Sequence, residues 1–462
     1  MRRVNFELGE PSEKEYFEEY DKYATVYSWW FCLILILRCC IPFCLALQVG
    51  PYEYSDSIKV YRRAFLNKQN HQNITQIQVV GGEYNVQKSI ILQMIIFKSA
   101  GFGVGAVLIG VFADVYGRSV TSFLASMLWA TTAAISVLFQ HATLIQVWYS
   151  VITACASATC VVTFVSFAEI INKKQRVLVV YTCLGYVVGD ILLTYIVDNL
   201  QTWKYTITFA ATASTCAIFA TWYIPESPRW LFNKNKKRQV YDQLNEISGL
   251  KYEITLANAP PEGDSHLRIC YDMFRYITRE KLKHIIICNI CIGAAGANFS
   301  TARLKVTLYY NNADEFKHIA NVAEVLAYLL LIPMLIFLGK RNSLFACFCL
   351  LSTSAMIGII LPENTQIFYN IFAVLLGQTG LCFCWFLFLD LFPTFSRATV
   401  MGIGICTYNI ASAITIVTVN LIDEFSYFNY CIMFFLISLL GMSVLSLSDY
   451  SSQDLLNFKL YR

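Results

Sequence analysis

The chain has 462 residues, of which 56% are hydrophobic and only 14% are charged, and its mean hydropathy is +0.51. A soluble domain carries roughly 25% charged residues, so this composition favours a membrane protein over a soluble one. The formal net charge of +4 is small, and no basic tract is long enough to suggest a nucleic-acid partner.

The chain begins with a polar segment of mixed charge, residues 1–28, whose lack of an apolar core argues against a cleaved signal peptide. About twelve apolar runs follow, each close to the roughly 20 residues that a membrane-spanning helix needs. They lack the alternation of β-barrel strands, so we predict helices. The runs are 29–49, 90–113, 119–139, 144–168, 177–197, 206–224, 285–302, 318–338, 343–361, 366–391, 398–421 and 427–447.

The runs fall into two groups of six, so we predict an all-α membrane protein with twelve transmembrane helices in two halves. The first half is 29–224 and includes a long loop, 50–88. A charged central segment, 225–284, precedes the second half, 285–447, and a polar tail, 448–462. The central segment predicts two surface helices, at 238–250 and 267–283, because apolar residues recur there at helical spacing.

Lysine and arginine are concentrated in the central segment and in loops on the same side of the predicted membrane, whereas the loops near residues 141, 199, 363 and 423 have almost none. This asymmetry predicts that both termini and the central segment are cytosolic. Loop 50–88 then lies outside, and it contains the glycosylation acceptor Asn73-Ile74-Thr75. We therefore expect a multi-pass, glycosylated protein of the plasma membrane.

The 17 cysteines lie almost entirely within the apolar runs, where cysteine serves as a small hydrophobe. The pairs Cys288/Cys291 and Cys382/Cys384 admit a metal or redox interpretation, but no histidine or second cysteine pair accompanies them. Nucleotide-binding loops and Ser-His-Asp arrangements are absent from the sequence. We expect no catalytic residue, no metal, no cofactor and no enzymatic activity.

Of the ionisable residues within or at the end of the predicted spans, four are candidates to line a cavity, because a charge in the membrane interior is costly unless it faces a polar cavity or a partner. They are Arg38, Asp190, Arg303 and Glu324. Two cations and two anions suggest two pairs, Arg38 with Asp190 in the first half and Arg303 with Glu324 in the second. The pairs could line a solute cavity, or each could simply neutralise itself within the fold.

A set of short motifs resembles the organic cation, organic anion and carnitine transporter family of the major facilitator superfamily. In chain order they are Gly110–Arg118, Glu169 with Arg176, Trp203-Lys204, Pro225-Glu226-Ser227-Pro228-Arg229-Trp230-Leu231, Glu324–Tyr328 and Leu391–Thr394 with Arg397. The chain departs from the family pattern at Val115, Ser119, Asp390 and the motif that begins at Ser446. Its loop 50–88 also lacks the family's cysteines.

The resemblance implies alternating access, with charges at the cytosolic ends of the helices forming a gate. Asp114 would meet the N-terminus of span eleven, Arg118 would pair with Glu169, and Arg176 with Glu226; Arg341, Asp390 and Arg397 would act together in the second half. The alternative is that these charges only mark the interface and set topology. The expected gate residues are Asp114, Arg118, Glu169, Arg176, Glu226, Arg229, Asp390 and Arg397.

The resemblance also places spans one, five, seven, eight and eleven around a central cavity. The family's charged position in span eleven falls on Asn409, a neutral amide, so neither cation nor anion selectivity follows. Trp385 and Tyr408 offer aromatic faces for an organic cation. The expected cavity residues are Arg38, Asp190, Arg303, Glu324, Trp385, Tyr408 and Asn409.

The expected partners are the lipid bilayer and a small organic ion or zwitterion, with a coupling ion as a further option. Two alternatives stay open: a sugar porter-like carrier, and a receptor or scaffold that no longer transports. The missing sugar-porter motif after span twelve counts against the first, and the eroded positions Val115 and Ser119 suggest the second.

Overall fold

The computed structural model describes residues 20, 29–53, 74–138, 142–172, 175–199, 203–234, 236–248, 275, 282–308, 313–360, 366–421 and 427–447. Within these ranges the chain forms helices joined by short turns and no strand. The all-helical prediction is therefore confirmed.

The first half follows the predicted apolar runs closely. The run 177–197 is divided into two helices because the Thr182 hydroxyl donates to the Val179 carbonyl (2.6 Å) and the Cys183 amide to the Val180 carbonyl (3.0 Å), which tightens the chain there. The helices of this half are α1 (Trp29–Glu53), α2 (Ile74–Tyr116), α3 (Arg118–Ser136), α4 (Ala142–Ile170), α5 (Val177–Tyr181), α6 (Leu184–Asn199) and α7 (Trp203–Tyr223).

The central segment contributes α8 (Pro228–Asn233) and α9 (Lys237–Ser248). The Ser227 side chain accepts a hydrogen bond from the Trp230 amide (3.1 Å), and Pro228 occupies the first turn, so the sequence itself starts α8. Helix α9 coincides with the predicted surface helix at 238–250. The second predicted surface helix, 267–283, lies mostly outside the described residues.

The second half begins with α10 (Leu282–Leu308) and contains α11 (Ala313–Ile360), which holds two predicted runs. Gly339 separates them, because its φ of 74° and ψ of 172° interrupt the helix. The half is completed by α12 (Gln366–Leu391), α13 (Arg397–Leu421) and α14 (Tyr427–Gly441), which ends in a 3₁₀ turn, Met442–Ser446.

The predicted loop 50–88 is shorter than expected, since α1 continues to Glu53 and α2 begins at Ile74. Hydropathy marks only the part of a helix that lies in lipid, and a helix can continue into water beyond it. Asn73 and the tail 448–462 lie outside the described residues, as does segment 1–28 apart from Tyr20.

Several described helices are long and apolar enough to cross a bilayer. On α2, Val104, Leu108 and Phe112 are spaced four residues apart and are at least half exposed, which suits a face turned toward lipid. The long segments are Ile95–Tyr116, Arg118–Ser136, Val147–Ile170, Leu282–Arg303, Ile319–Ile360, Phe368–Leu391 and Arg397–Thr418; shorter apolar ones are Cys32–Leu47, Val177–Leu193 and Cys431–Ser446.

The two halves approach most closely where α2 meets α13. A Cβ atom added at Gly110 would lie 2.5 Å from the Ala398 carbonyl oxygen, and one at Gly402 would collide with the Ala106 carbonyl. Small residues at these positions allow the two backbones to touch, as in many membrane helix pairs.

Candidate functional site

Four charged side chains from both halves meet at one end of the α2–α13 contact, and we call them the buried charge cluster: Asp114, Arg118, Glu169 and Arg397. Arg118 pairs with Asp114 (2.8 Å) and with Glu169 (3.1 Å), and Arg397 pairs with Glu169 (2.9 Å). No side chain of the four is more than 4% exposed. Two carboxylates face two guanidinium groups, so the cluster as a whole is neutral, which is the condition for burying charges in a protein interior.

Arg118 reaches the cluster because α2 and α3 are joined by a single residue, Gly117. The φ of 119° at Gly117 favours glycine and turns the chain so that Arg118 starts α3 while remaining beside Asp114. The guanidinium also donates to the carbonyls of Ala113 (3.0 Å) and Thr394 (2.5 Å). Thr394 belongs to the second half, so Arg118 bridges the halves.

Asp114 lies at the N-terminus of α13, the helix of span eleven, as the family resemblance implies. Its carboxylate accepts hydrogen bonds from the Thr399 amide (2.8 Å), the Thr399 hydroxyl (2.8 Å) and the Ala398 amide (3.4 Å). The first amides of a helix have no partner within it and carry partial positive charge, so an anion is stabilised there.

Glu226 stabilises the start of α3 instead of pairing with Arg176, so the predicted Arg176–Glu226 pair is wrong. Its carboxylate accepts from the amides of Arg118 (2.8 Å), Ser119 (3.1 Å) and Ser227 (3.0 Å). Burial raises the pKa of the Glu226 carboxyl above its ordinary value, against the opposing effect of the Ser227 and Arg118 N–H groups.

Arg176 pairs with Asp390 of the second half (3.2 Å), and Asp390 also pairs with Lys340. Arg341 does not join Asp390 as expected but donates to the Leu447 carbonyl (2.8 Å). Arg397 likewise forms its ion pair with Glu169 of the first half rather than with Asp390. Two of the ion pairs described at this end, Arg176–Asp390 and Glu169–Arg397, therefore join the halves, while three lie within one half.

The segment 225–231 packs directly against the buried charge cluster. Arg229 donates from Nε to the Glu169 carbonyl (3.1 Å), and the Trp230 indole donates to the Asp114 carbonyl (3.1 Å). The Arg118 guanidinium lies over the Trp230 ring, 5.9 Å from its centroid. No role was predicted for Trp230, although its place beside Arg229 in the motif was a usable signal.

A second set of charges, the three-charge cluster, consists of Asp190, Arg303 and Glu324 and also joins the halves. Arg303 of α10 pairs with Asp190 of α6 (2.9 Å) and with Glu324 of α11 (3.2 Å). The carboxylates are 6% and 2% exposed, and the guanidinium residue is 20% exposed. The predicted Arg303–Glu324 pair is confirmed, but Asp190 takes Arg303 rather than Arg38 as its ion-pair partner.

Arg38 lies apart from both clusters, between α1 and α4. It donates from Nη2 to the Cys160 carbonyl (3.3 Å), and its guanidinium lies 5.6 Å from the centroid of the Phe164 ring. The residue is 2% exposed, and its Nε and Nη1 atoms have no hydrogen-bond partner. The predicted Arg38–Asp190 pair is therefore wrong.

Between the two clusters, tyrosines join the halves. The Tyr181 hydroxyl of α5 donates to the Tyr328 carbonyl of α11 (2.7 Å), and Gln378 of α12 donates to the Tyr328 hydroxyl (2.9 Å). Tyr181 and Gln378 were not among the predicted site residues, because uncharged polar residues are common in apolar runs and give no specific signal.

The remaining cavity candidates sit on α12 and α13. Asn409 donates to the Ile405 carbonyl of its own helix (2.8 Å) and is 6% exposed. Tyr408 lies against Gly296, with its hydroxyl 3.4 Å from the Ser300 hydroxyl. Trp385 is partly buried and contacts the Phe388 ring, with centroids 6.4 Å apart. None of these contacts joins the three residues to Arg38 or to the three-charge cluster.

The described cysteines are free thiols, including the pairs Cys288/Cys291 and Cys382/Cys384. Among the described residues no group of three or more His, Cys, Asp or Glu side chains could hold a metal ion.

These features define the class: a multi-pass helical membrane protein whose two bundles are joined through buried ion pairs. Residues 69–447 match the family model of the Major Facilitator Superfamily, so the chain belongs to that family. It is similar to solute carrier family 22 member 2 of Rattus norvegicus (20% identical; 67% of this chain, 57% of that one). It is also similar to organic cation/carnitine transporter 2 of Mus musculus (22% identical; 66% and 56%). The matched region thus spans little more than half of these relatives.

The fold is shared with solved structures of this family. The proton:xylose symporter XylE bound to 6-bromo-6-deoxy-D-glucose has a TM-score of 0.64 at 16% identity, over 89% of this chain and 94% of that one. The human organic anion transporter MFSD10 has a TM-score of 0.56 at 12% identity, over 94% and 100%. The predicted major facilitator fold is confirmed.

Proposed function

We propose that this protein carries a small organic solute, an organic ion or a zwitterion, across the membrane by alternating access between its two halves. The observation that carries the proposal is the distribution of ion pairs: Glu169–Arg397, Arg176–Asp390 and Asp190–Arg303 each join one half to the other. Contacts of this kind can break and re-form as two rigid bundles rock. The relative named organic cation/carnitine transporter 2 supports the solute class.

In this proposal the buried charge cluster, with Arg176, Glu226, Arg229 and Asp390, acts as the cytosolic gate. The lysine- and arginine-rich central segment supports a cytosolic location for this end and for both termini, in the plasma membrane. The outer loop would then carry the glycan on Asn73. The contacts of Arg118, Asp114 and Arg397 with the opposite half support this role, since they would hold such a gate closed.

The solute would bind among the ionisable and aromatic residues of the membrane interior. The three-charge cluster supports this role, since intramembrane charges that sit between helices mark substrate or ion pathways more often than structural sites. It also offers carboxylates for a coupling ion. The proposed cavity residues are Arg38, Asp190, Arg303, Glu324, Trp385, Tyr408 and Asn409.

A disulfide across the halves gives a direct test. A Cβ atom at Gly103 of α2 would lie 3.6 Å from Cβ of the native Cys406 of α13, within the about 3.5–4.5 Å typical of disulfides. We expect Gly103→Cys to form a reversible link to Cys406 that stops uptake when oxidised and restores it when reduced. Gly103→Ser is the matched control. Full uptake with the link formed would contradict the proposed rocking motion.

The solute class is tested in proteoliposomes with a radiolabelled panel of organic cations, anions, zwitterions and hexoses, with and without sodium and proton gradients. Uptake within the first three groups supports the proposal. Uptake of hexoses alone would favour a sugar porter, for which the fold shared with XylE is the only support. Failure to move any compound by correctly folded protein would favour a receptor or scaffold.

A further inference from the structure

Arg38 is a cation in the membrane interior whose hydrogen-bonding capacity is largely unused. A guanidinium has five N–H donors. Here one contact, to the Cys160 carbonyl, is 3.3 Å long, while Nε and Nη1 have no hydrogen-bond partner and the residue is 2% exposed. Within the part of the chain that the structure describes, Arg38 has no carboxylate partner.

An arginine in this condition is costly. A buried charge without a partner destabilises a protein by several kcal/mol, and a charged side chain at the centre of a bilayer costs about 3 kcal/mol or more. The Phe164 ring, 5.6 Å away, stabilises the cation only in part. By contrast, Arg118, Arg303 and Arg397 each have at least one carboxylate within 3.2 Å. Arg38 thus differs from these three arginines, because no described carboxylate pairs with it.

The packing around Arg38 leaves the side chain little opportunity to reach a carboxylate elsewhere. Gly185 of α6 lies against the Cys39 carbonyl, and Gly189 lies against the Phe43 carbonyl. The backbones of α1 and α6 are therefore in close contact over the helical turn that follows Arg38. Cys160 and Phe164 of α4 occupy the guanidinium's near face. An anion that neutralises the Arg38 guanidinium must therefore be supplied by a bound molecule.

The depth of Arg38 suggests where that anion originates. Arg38 lies near the middle of the apolar run 29–49, and so near the middle of a hydrocarbon core roughly 30 Å thick. Gly185 of α6 contacts Cys39 of α1, and Asp190 lies five residues beyond Gly185, about 8 Å further along that helix. Asp190 belongs to the three-charge cluster.

We propose that Arg38 binds the carboxylate group of the transported solute, whose other end extends toward the three-charge cluster. The assignment rests on the proposed transport function and narrows its substrate class to carboxylates and carboxylate-bearing zwitterions.

The test uses a matched set of six-carbon probes: hexanoate, 6-aminohexanoate, hexylammonium and hexanamide. The full-length protein is purified in detergent, and its thermal unfolding is followed by tryptophan fluorescence at constant ionic strength. Chloride and sulfate arms separate a carboxylate from an inorganic anion. We expect hexanoate and 6-aminohexanoate to raise the unfolding temperature saturably, and hexylammonium and hexanamide to have little effect.

Variants of Arg38 then test whether this residue causes the stabilisation by carboxylates. In Arg38→Met the half-saturating concentration of hexanoate should rise at least tenfold, equivalent to about 1.4 kcal/mol. Arg38→Lys should give an intermediate value, because lysine keeps the charge without the planar fork. Lys98→Met, which removes another cation from a spanning helix, should match the wild type. Without probe, Arg38→Met should be at least as stable as the wild type, because it removes an uncompensated buried charge.

Three results would overturn the assignment: no carboxylate effect on the wild type, an equal response to chloride, or an Arg38→Met protein that is destabilised but keeps its hexanoate affinity. The panel uptake assay separates these from a failure of transport. Uptake of cations without any carboxylate effect would leave the transport proposal standing and refute the role of Arg38. Carboxylate binding without uptake of any compound would support the role of Arg38 and refute the transport proposal.

Discussion

The Glu169–Arg397 pair offers a quantitative test of how the halves are held together. The pair joins α4 to α13 at 2.9 Å, and its side chains are 0% and 4% exposed. Glu169→Gln leaves the buried charge cluster with one excess positive charge, and Arg397→Met leaves it with one excess negative charge. The double variant restores neutrality through Asp114 and Arg118 (2.8 Å).

Removing one partner of a buried ion pair costs about 3–5 kcal/mol, because the remaining charge is uncompensated. Each single variant should therefore destabilise the closed interface by about 3 kcal/mol or more, which increases opening at least 100-fold. The double variant should cost at least about 2 kcal/mol less than the sum of the singles, as coupled residues do in double-mutant cycles.

Hydrogen exchange of the Ala398 and Thr399 amides measures this opening in nanodiscs, since exchange there requires loss of their hydrogen bonds to Asp114. Thermal unfolding supplies an independent value. Arg341→Met is the matched control, because Arg341 donates to the Leu447 carbonyl within its own half. Additive costs, within about 0.5 kcal/mol, would refute the idea that cluster neutrality holds the halves together.

Two further predictions concern the same end of the molecule. Gly110→Ala should lower the unfolding temperature or speed hydrogen exchange in α13, because the new methyl group meets the Ala398 carbonyl. Gly380→Ala is the control and should be neutral or stabilising, because the nearest atom to its new methyl group is 3.7 Å away. Equal behaviour of the two variants would contradict the close approach of α2 and α13. Because the pKa of Glu226 is raised in the folded state, protonation favours the fold. The free energy of unfolding of the wild type relative to Glu226→Gln should therefore fall as pH rises above about 4.5; a rise over that range would contradict this sign.

Much of the architecture was predictable because hydropathy and turn residues act locally. The apolar runs, the start of α8 at Pro228 and the break at Gly339 each depend on a few neighbouring residues. The contact of Asp114 with α13 was also expected, but only through resemblance to a family. Nothing within the chain's local sequence connects residue 114 with residue 399.

The incorrect pairs share one cause. Arg38 was paired with Asp190 and Arg176 with Glu226 on the assumption that charges are neutralised within a half. The structure neutralises several of them between halves, through Arg303 and Asp390. Charge complementarity says which residues need a partner, but not which of several opposite charges lies within 4 Å. That choice is made by helix packing, which depends on glycines such as those along α2.

At the buried charge cluster, one half recognises the other partly through its main chain. Asp114 accepts from the amides of Ala398 and Thr399, and Arg118 donates to the Thr394 carbonyl. Main-chain groups are present whatever side chain a residue carries, whereas the Arg397 guanidinium and the Thr399 hydroxyl contact the first half through their side chains. Thr394 is therefore free to change during evolution as long as α13 starts at the same place, but Arg397 and Thr399 are not.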